Sequence, residues 1–146
     1  MYSYQVCQPV VAMMREGDKL ASYRMLAGAL GRLRDLSWHL LVAGDGGARA
    51  AVHGALEASI PGRTAYLGAL ELAGVAELNG AADLFAWPAV NEAYGMAMLE
   101  AQAAGLPVVS CATRGVPDVV EHGRTGLLAP GGDGKMAEYS IELTSP

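Results

Sequence analysis

Short apolar runs of strand length alternate with stretches of helical periodicity along this 146-residue chain. That alternation constrains the fold more than any other feature. The strand-like runs are "QVCQPVVAMM" (5–14), "WHLLVAGDGG" (38–47), "RTAYLGAL" (63–70), "DLFAWPA" (83–89), "LPVVSCAT" (106–113) and "TGLLAP" (125–130). Between the first two lies "DKLASYRMLAGALGRLR" (18–34), where Leu20, Tyr23, Leu26, Ala27, Leu30 and Leu33 fall on one helical stripe. Helical stretches follow at 48–58, 72–81, 94–105, 116–122 and 133–143. Strands alternating with helices across short connections make a parallel sheet covered on both faces. The expectation is a single α/β, doubly wound, Rossmann-like domain over residues 1–146, with a parallel sheet of about six strands. Asp18 is expected to cap the first helix, Gly105 to close the helix at 94–105, and Pro88 to end a strand. Pro9 blurs the start of the first strand, because proline donates no ladder hydrogen bond.

Composition narrows the function classes. Hydrophobic residues make up 52% of the chain and charged residues 17%, a globular balance with enough length for a core. The formal net charge of −5 argues against a nucleic-acid partner, and no polybasic run indicates a membrane surface. No apolar run of about 18 residues suggests a membrane span. "MYSYQVCQPV" lacks the charged start and apolar core of a signal peptide. Cys7 and Cys111 sit in apolar segments and read as reduced thiols, and His39, His53 and His122 are scattered without metal-ligand spacing. These features together suggest a cytoplasmic domain.

In open parallel sheets ligands bind where strands end and helices begin. The loops after the strands are therefore the place to search, and "NEAYGMAMLE" (91–100) is the most unusual of them. A helix starting near Tyr94 and Gly95 would present free backbone N–H groups and a partial positive charge, suited to a phosphate. Gly95 leaves room for an anion to come close. Glu100 lies inside an otherwise apolar helical run, where an unpaired carboxylate costs stability. At about 1.5 Å of rise per residue it can reach a group roughly 8 Å from a phosphate at the helix mouth, about where a ribose would lie. Glu92, before the helix, could accept hydroxyls at the other end of the same ligand. The plain alternative is that Glu100 faces solvent, and spacing alone does not decide between them.

The wider context carries more weight. The stretch from Ala82 to Asp133, "ADLFAWPAVNEAYGMAMLEAQAAGLPVVSCATRGVPDVVEHGRTGLLAPGGD", resembles the donor-binding signature of retaining GT-B glycosyltransferases of family 4. That signature runs from an aspartate-headed strand through a proline, a pair of glutamates separated by seven residues, "A-x-A-x-G-x-P-V-V", a glycine and "P-[DE]-x-V". Upstream, "LLVAGDGGAR" and "AYLGAL" resemble the family's "GDG" and "FLG" strands, so the likeness covers about 120 residues. It implies that Glu100 binds the ribose hydroxyls of a nucleoside-diphosphate sugar. Glu92, with the backbone of Ala93, Tyr94 and Gly95, would contact the transferred sugar, and N–H groups at Gly95 and Met96 would receive the diphosphate. Arg15 and Lys19 resemble the family's cationic pair on the diphosphate, though their spacing is tighter and the glycine precedes the lysine. Read without the family, the same residues are solvated charges at a helix start. Fixed cations there would stabilise charge growing on the departing diphosphate.

Gly44 and Gly46 form a tight turn expected to bring backbone near the nucleotide or sugar. "RGVP" and "PGGD" read as further crevice-edge turns. Trp87 reads as core or crevice wall, Asp83 as a structural junction residue, and His53 and His122 as surface residues. By the resemblance the chain corresponds to the donor-binding half of a GT-B enzyme, whose N-terminal acceptor domain would lie outside it. Alone it is expected to bind donor weakly and to transfer nothing at a useful rate. No metal or other cofactor is expected. Two other classes remain open on the residues: a non-catalytic nucleotide-binding or regulatory domain, and an NAD-dependent oxidoreductase domain, for which the first loop offers only one glycine. A partner-binding scaffold is the weakest reading.

Overall fold

A computed structural model describes residues 6–130 and 133–144. Six strands and six helices alternate: β1 (Val6–Val11), α1 (Asp18–Gly31), β2 (Trp38–Ala43), α2 (Arg49–Ser59), β3 (Thr64–Gly68), α3 (Leu72–Gly80), β4 (Phe85–Ala86), α4 (Met96–Ala103), β5 (Val108–Cys111), α5 (Val116–Val119), β6 (Gly126–Ala129) and α6 (Asp133–Thr144). Every pairing is parallel. β1, β2 and β3 form one ladder, and β4, β5 and β6 a second. β1 and β4 lie side by side, so the spatial order is 3-2-1-4-5-6 and the winding reverses between β1 and β4. Ligands of open α/β sheets bind at such a reversal.

The expected single sheet is thus divided in two, and Pro9 supplies the reason. Even-numbered positions of β1 face β2: Val6 N–H donates to the Ser37 carbonyl and Ala12 N–H to the Ala43 carbonyl. Odd-numbered positions face β4, where Asp83 N–H donates to the Cys7 carbonyl (2.9 Å) and Cys7 N–H to the Asp83 carboxylate (2.8 Å). Pro9 falls on this second side and has no N–H to give. The two ladders meet at Asp83 and then part company towards the crevice.

The expected α1 stripe is realised, with Leu20, Tyr23, Leu26, Ala27, Leu30 and Leu33 all buried. Helix α1 packs on α2 and α6, whereas α3 packs on β1 and α4 on β5. With the right-handed crossovers usual for parallel strands, a reversal of winding puts the helices before and after it on opposite faces. All four residues of β5 are buried, as expected of a strand covered on both faces. The expected cap at Asp18 is displaced by one position: Gly17, in the left-handed region, precedes the helix, and Asp18 is its first residue. Gly105, at φ +85, follows α4 in the expected closing position. β4 is shorter than its apolar run, because Pro88 and the left-handed Ala89 turn the chain away after Trp87.

Both cysteine thiols are free, with Cys111 buried and Cys7 half-buried. Among the described residues no helix is long and apolar enough to cross a membrane. The "PGGD" turn lies at Gly131 and Gly132, outside the described residues.

Candidate functional site

The loop leaving β4 is built around side chains from elsewhere in the chain. Trp87 is buried as core and meets Tyr23 of α1 edge to face, with ring centroids 4.9 Å apart. Tyr23 in turn donates from its hydroxyl to the Ala12 carbonyl (2.7 Å). Beyond Pro88 the backbone takes left-handed values at Ala89 (φ 56) and Asn91 (φ 55), which cost an ordinary L-residue energy unless contacts hold them. Three contacts to α1 do so. Val90 N–H donates to the hydroxyl of buried Ser22 (2.9 Å), the Asn91 amide donates to Asp18 (3.0 Å), and Lys19 pairs with Glu92 (3.4 Å). From the other side Arg114, itself left-handed, donates to the Asn91 amide oxygen (2.8 Å), and Gly115 N–H donates to the Glu92 carbonyl (3.2 Å). Gly115 approaches so closely that a Cβ there would lie 1.9 Å from the Ala93 carbonyl oxygen.

This loop delivers Glu92 to the mouth of α4. One carboxylate oxygen accepts the Gly95 N–H (3.0 Å) and the other faces the Lys19 ammonium (3.4 Å). Burial pushes the Glu92 carboxyl up, but the Gly95 amide, Lys19 and the Tyr94 amide outweigh it and hold the group below the usual carboxylate range. Glu92 is therefore ionised at neutral pH and already satisfies part of the helix mouth. Gly95 enters the helix at φ +68, where a Cβ would stand 3.0 Å from the Met98 methyl carbon. Ala93, Tyr94 and Met96 are exposed beside it.

Glu100 lies on the exposed side of α4, whose buried residues are Met98 and Ala101. The expectation of a carboxylate stranded in an apolar run is corrected here. The run is apolar in sequence, yet Met96 (57% exposed) and Leu99 (49%) share the open side, so Glu100 bears no burial cost. Its carboxylate has no hydrogen-bond or ion-pair partner among the described residues. It borders a groove of about 520 Å³ between α3 and α4, with Val75, Asn79 and Gly80 opposite. The side-chain carbonyl oxygen of Asn79, a residue only 2% exposed, has no partner there.

Two further hollows lie nearby, each sharing lining residues with its neighbour. One, of about 410 Å³, is bordered by Arg15, Asp18, Lys19, Val90, Asn91 and Glu92. The other, also about 410 Å³, lies over the ends of β1, β2 and β3 and is bordered by Arg15, Lys19, Gly44, Asp45, Leu70 and Val75. Arg15 and Lys19 belong to both hollows, and Val75 joins the second to the Glu100 groove. Arg15 is exposed, and its guanidinium has no partner among the described residues. Gly44 borders the middle hollow. Gly46 is not among its lining residues; a Cβ on Gly46 would lie 2.3 Å from the Met14 carbonyl oxygen, so its close approach is to the chain's own backbone. A separate hollow of about 480 Å³ opens at the opposite edge, near Pro107 and Thr125, with Arg124 paired to Glu121 at 3.4 Å.

Sequence reading assigned Glu92, Glu100, Arg15, Lys19, Gly44 and the α4 mouth to one crevice. In the structure Arg15, Lys19 and Glu92 border one hollow, Arg15, Lys19 and Gly44 a second and Glu100 a third, while Ala93, Tyr94, Gly95 and Met96 line none of these three. Sequence reading missed the supports Asp18, Ser22, Asn91, Arg114 and Gly115. "RGVP" had been read only as a turn, and nothing local to these residues signals contacts that span 23 to 73 positions.

Similar proteins fit this picture. D-inositol 3-phosphate glycosyltransferase of Corynebacterium jeikeium is 51% identical over 53 residues, which are 36% of this chain and 13% of that protein. N-acetyl-alpha-D-glucosaminyl L-malate synthase of Bacillus anthracis is 36% identical over 85 residues, 58% of this chain and 22% of that protein. The matched segments thus span less than a quarter of either relative. Among solved structures, sucrose-phosphate synthase from Thermosynechococcus elongatus superposes with a TM-score of 0.82 at 22% identity, covering 95% of this chain and 36% of that one. Anabaena HepE, solved with UDP and glucose, gives 0.81 at 22% identity over 97% of this chain and 39% of that one. These likenesses establish the fold. The model of the glycosyl transferases group 1 family matches residues 9–145, and the chain therefore belongs to that family.

Proposed function

We propose that this chain is the donor-binding domain of a retaining glycosyltransferase that moves a sugar from a nucleoside diphosphate to an acceptor held by a second domain. The observation that carries this reading is a series of three hollows with shared lining residues: Glu92, Arg15 and Lys19 border one, Arg15, Lys19 and Val75 the next, and Val75 and Glu100 the third. A nucleotide-sugar is linear in the same order: sugar, diphosphate, ribose. Glu92 and the backbone of Ala93, Tyr94 and Gly95 take the sugar hydroxyls. Arg15, Lys19 and the N–H groups at Gly95 and Met96 take the diphosphate, and Glu100 takes the ribose diol, whose two hydroxyls satisfy its open lone pairs. Gly44 and Gly46 shape the turn beneath the middle of the ligand. The names of the relatives agree with sugar transfer, and the HepE structures hold UDP with glucose or UDP-glucose.

In this reading the cations and the helix mouth carry the work that a metal carries elsewhere. Negative charge grows on the diphosphate as the glycosidic bond breaks, and fixed positive charge stabilises that transition state more than the ground state. The acceptor hydroxyl attacks from the face the diphosphate leaves and gives its proton to the departing phosphate oxygen, which retains the anomeric configuration. Without the acceptor domain the chain binds donor and transfers little.

Calorimetry against UDP-glucose, GDP-mannose and ADP-glucose tests the assignment, repeated with Glu100→Ala. One conjugate should bind, and the variant should weaken it about tenfold with the melting temperature unchanged, the worth of one charged hydrogen bond. Binding that ignores the sugar would instead indicate a nucleotide-sensing domain, and binding indifferent to Glu100→Ala would overturn the ribose role.

A further inference from the structure

The anion cradle at the mouth of α4 is already partly occupied. Glu92 takes the Gly95 N–H with one oxygen (3.0 Å) and the Lys19 ammonium with the other (3.4 Å). These are two of the groups assigned above to the diphosphate. Arg15, the other cation of the crevice, has no partner among the described residues. Glu92 and Lys19 also border the same hollow, so a phosphate entering it meets the carboxylate at close range. Glu92 is only partly exposed, at 22% of its side chain, and is held in place by a loop braced from both α1 and Arg114.

We propose that Glu92 is an internal anion that holds the diphosphate's place in the empty site and so makes the site discriminate against nucleoside diphosphate that carries no sugar. This inference rests on the donor-binding reading. A bare diphosphate must displace Glu92 from Lys19 and Gly95, then sit beside a carboxylate left without donors. Both steps disfavour it, because like charges a few ångströms apart repel and an unsatisfied carboxylate is costly. A sugar-linked diphosphate brings hydroxyls that donate to the displaced carboxylate, which offsets both. The residue that contacts the sugar thereby also sets the preference for intact donor over spent nucleotide, a specificity that favours release after transfer.

The test compares each nucleoside diphosphate with its conjugate by calorimetry on the 146-residue chain: UDP with UDP-glucose, GDP with GDP-mannose, ADP with ADP-glucose. Glutamine at position 92 can still accept the Gly95 N–H but carries no charge. Glu92→Gln should therefore bind the matching free diphosphate about fivefold more tightly, gain little or nothing for the conjugate, and lose most of the native preference. Glu92→Ala must shift the free diphosphate in the same direction, which guards against an effect peculiar to glutamine. Inorganic pyrophosphate should follow the free diphosphate, independent of the base. Weaker binding of free diphosphate by both variants would overturn the inference. If Glu100→Ala still weakened the conjugate in that case, the donor-binding reading would stand and only this inference would fall. Failure of the native chain to bind any conjugate would overturn both.

Discussion

The two halves of the sheet are built differently. In the first half β1 and β2 run together through six pairs, from Val6 opposite Trp38 to Val11 opposite Ala43. In the second half β4 meets β5 through two pairs only. All the described non-glycine residues with positive φ, Ala89, Asn91 and Arg114, lie in the second half, in the loops that carry or brace Glu92. The first half is a longer-paired frame, with one register shift between Val42 and Ala43, whose loops close on their own backbone. The second half trades ladder hydrogen bonds for an irregular loop held by distant side chains. Regular pairing gives stability cheaply in contacts, whereas a carboxylate placed at a helix mouth needs backbone that no ladder would allow.

Two glycines put this contrast to the sharpest test, since each would place a new Cβ 1.9 Å from a carbonyl oxygen. Gly44 sits at φ +155 against Ala12, within a turn tied by Met14 N–H to the Asp45 carbonyl and Gly44 N–H to the Gly68 carbonyl. Gly44→Ala should cost about 3 kcal/mol in urea unfolding, because both backbones are fixed. Gly115→Ala presses as closely on the Ala93 carbonyl, in a loop held by side-chain contacts and not by a ladder, and should cost less, about 2 kcal/mol, while sharply weakening conjugate binding. Equal stability losses would show the two halves to be equally rigid.

Arg15 crosses the division, because it leaves the frame and lines both hollows on the crevice. Arg15→Ala should lower conjugate affinity about tenfold by calorimetry while leaving the melting temperature in place, since an exposed cation with no partner among the described residues adds little to the fold. A drop in stability instead would place Arg15 in the frame.

Asn91→Ala removes the bridge from Asp18 to Arg114 but leaves the Ser22 and Gly115 contacts. A loss of about 1 kcal/mol in denaturant unfolding is expected, with amide exchange rising over 89–95 and not over β1 and β2. Faster exchange in both regions would mean that the halves unfold as one.

The smallest expected effect is pH-dependent. Burial raises the Glu92 carboxyl, yet the Gly95 amide, Lys19 and the Tyr94 amide together hold it below its ordinary value of 4.5. A carboxyl depressed in the folded state stabilises above its unfolded value, and that contribution disappears as pH falls through the folded one. The difference in melting temperature between native chain and Glu92→Gln, small at pH 7, should therefore close as pH falls below 4.5 and through the lower folded value. A difference that persists at the acid end would assign it to packing.

The elements were largely legible because burial imposes period: the α1 stripe and the apolar β5 could be read directly, with bounds off by a few residues. Glu92, Gly95 and Glu100 were proposed from the order of residues in the 82–133 signature, and Arg15 and Lys19, outside it, only from a looser likeness of the first loop. Glu100 was legible as a position but not as an environment. Its neighbours Met96 and Leu99 are apolar yet exposed, and hydropathy alone does not tell an open helix face from a buried one.

Residue pattern by itself settled the alternation of strand and helix, the buried stripe of α1 and the family. All of these are properties of the one-dimensional chain. Only the folded molecule decided that the sheet divides at Pro9, that α1 braces the loop after β4, and that Glu92 fills the mouth of α4 with its own charge. Each depends on groups far apart in sequence meeting at hydrogen-bond distance, and no local propensity encodes such meetings.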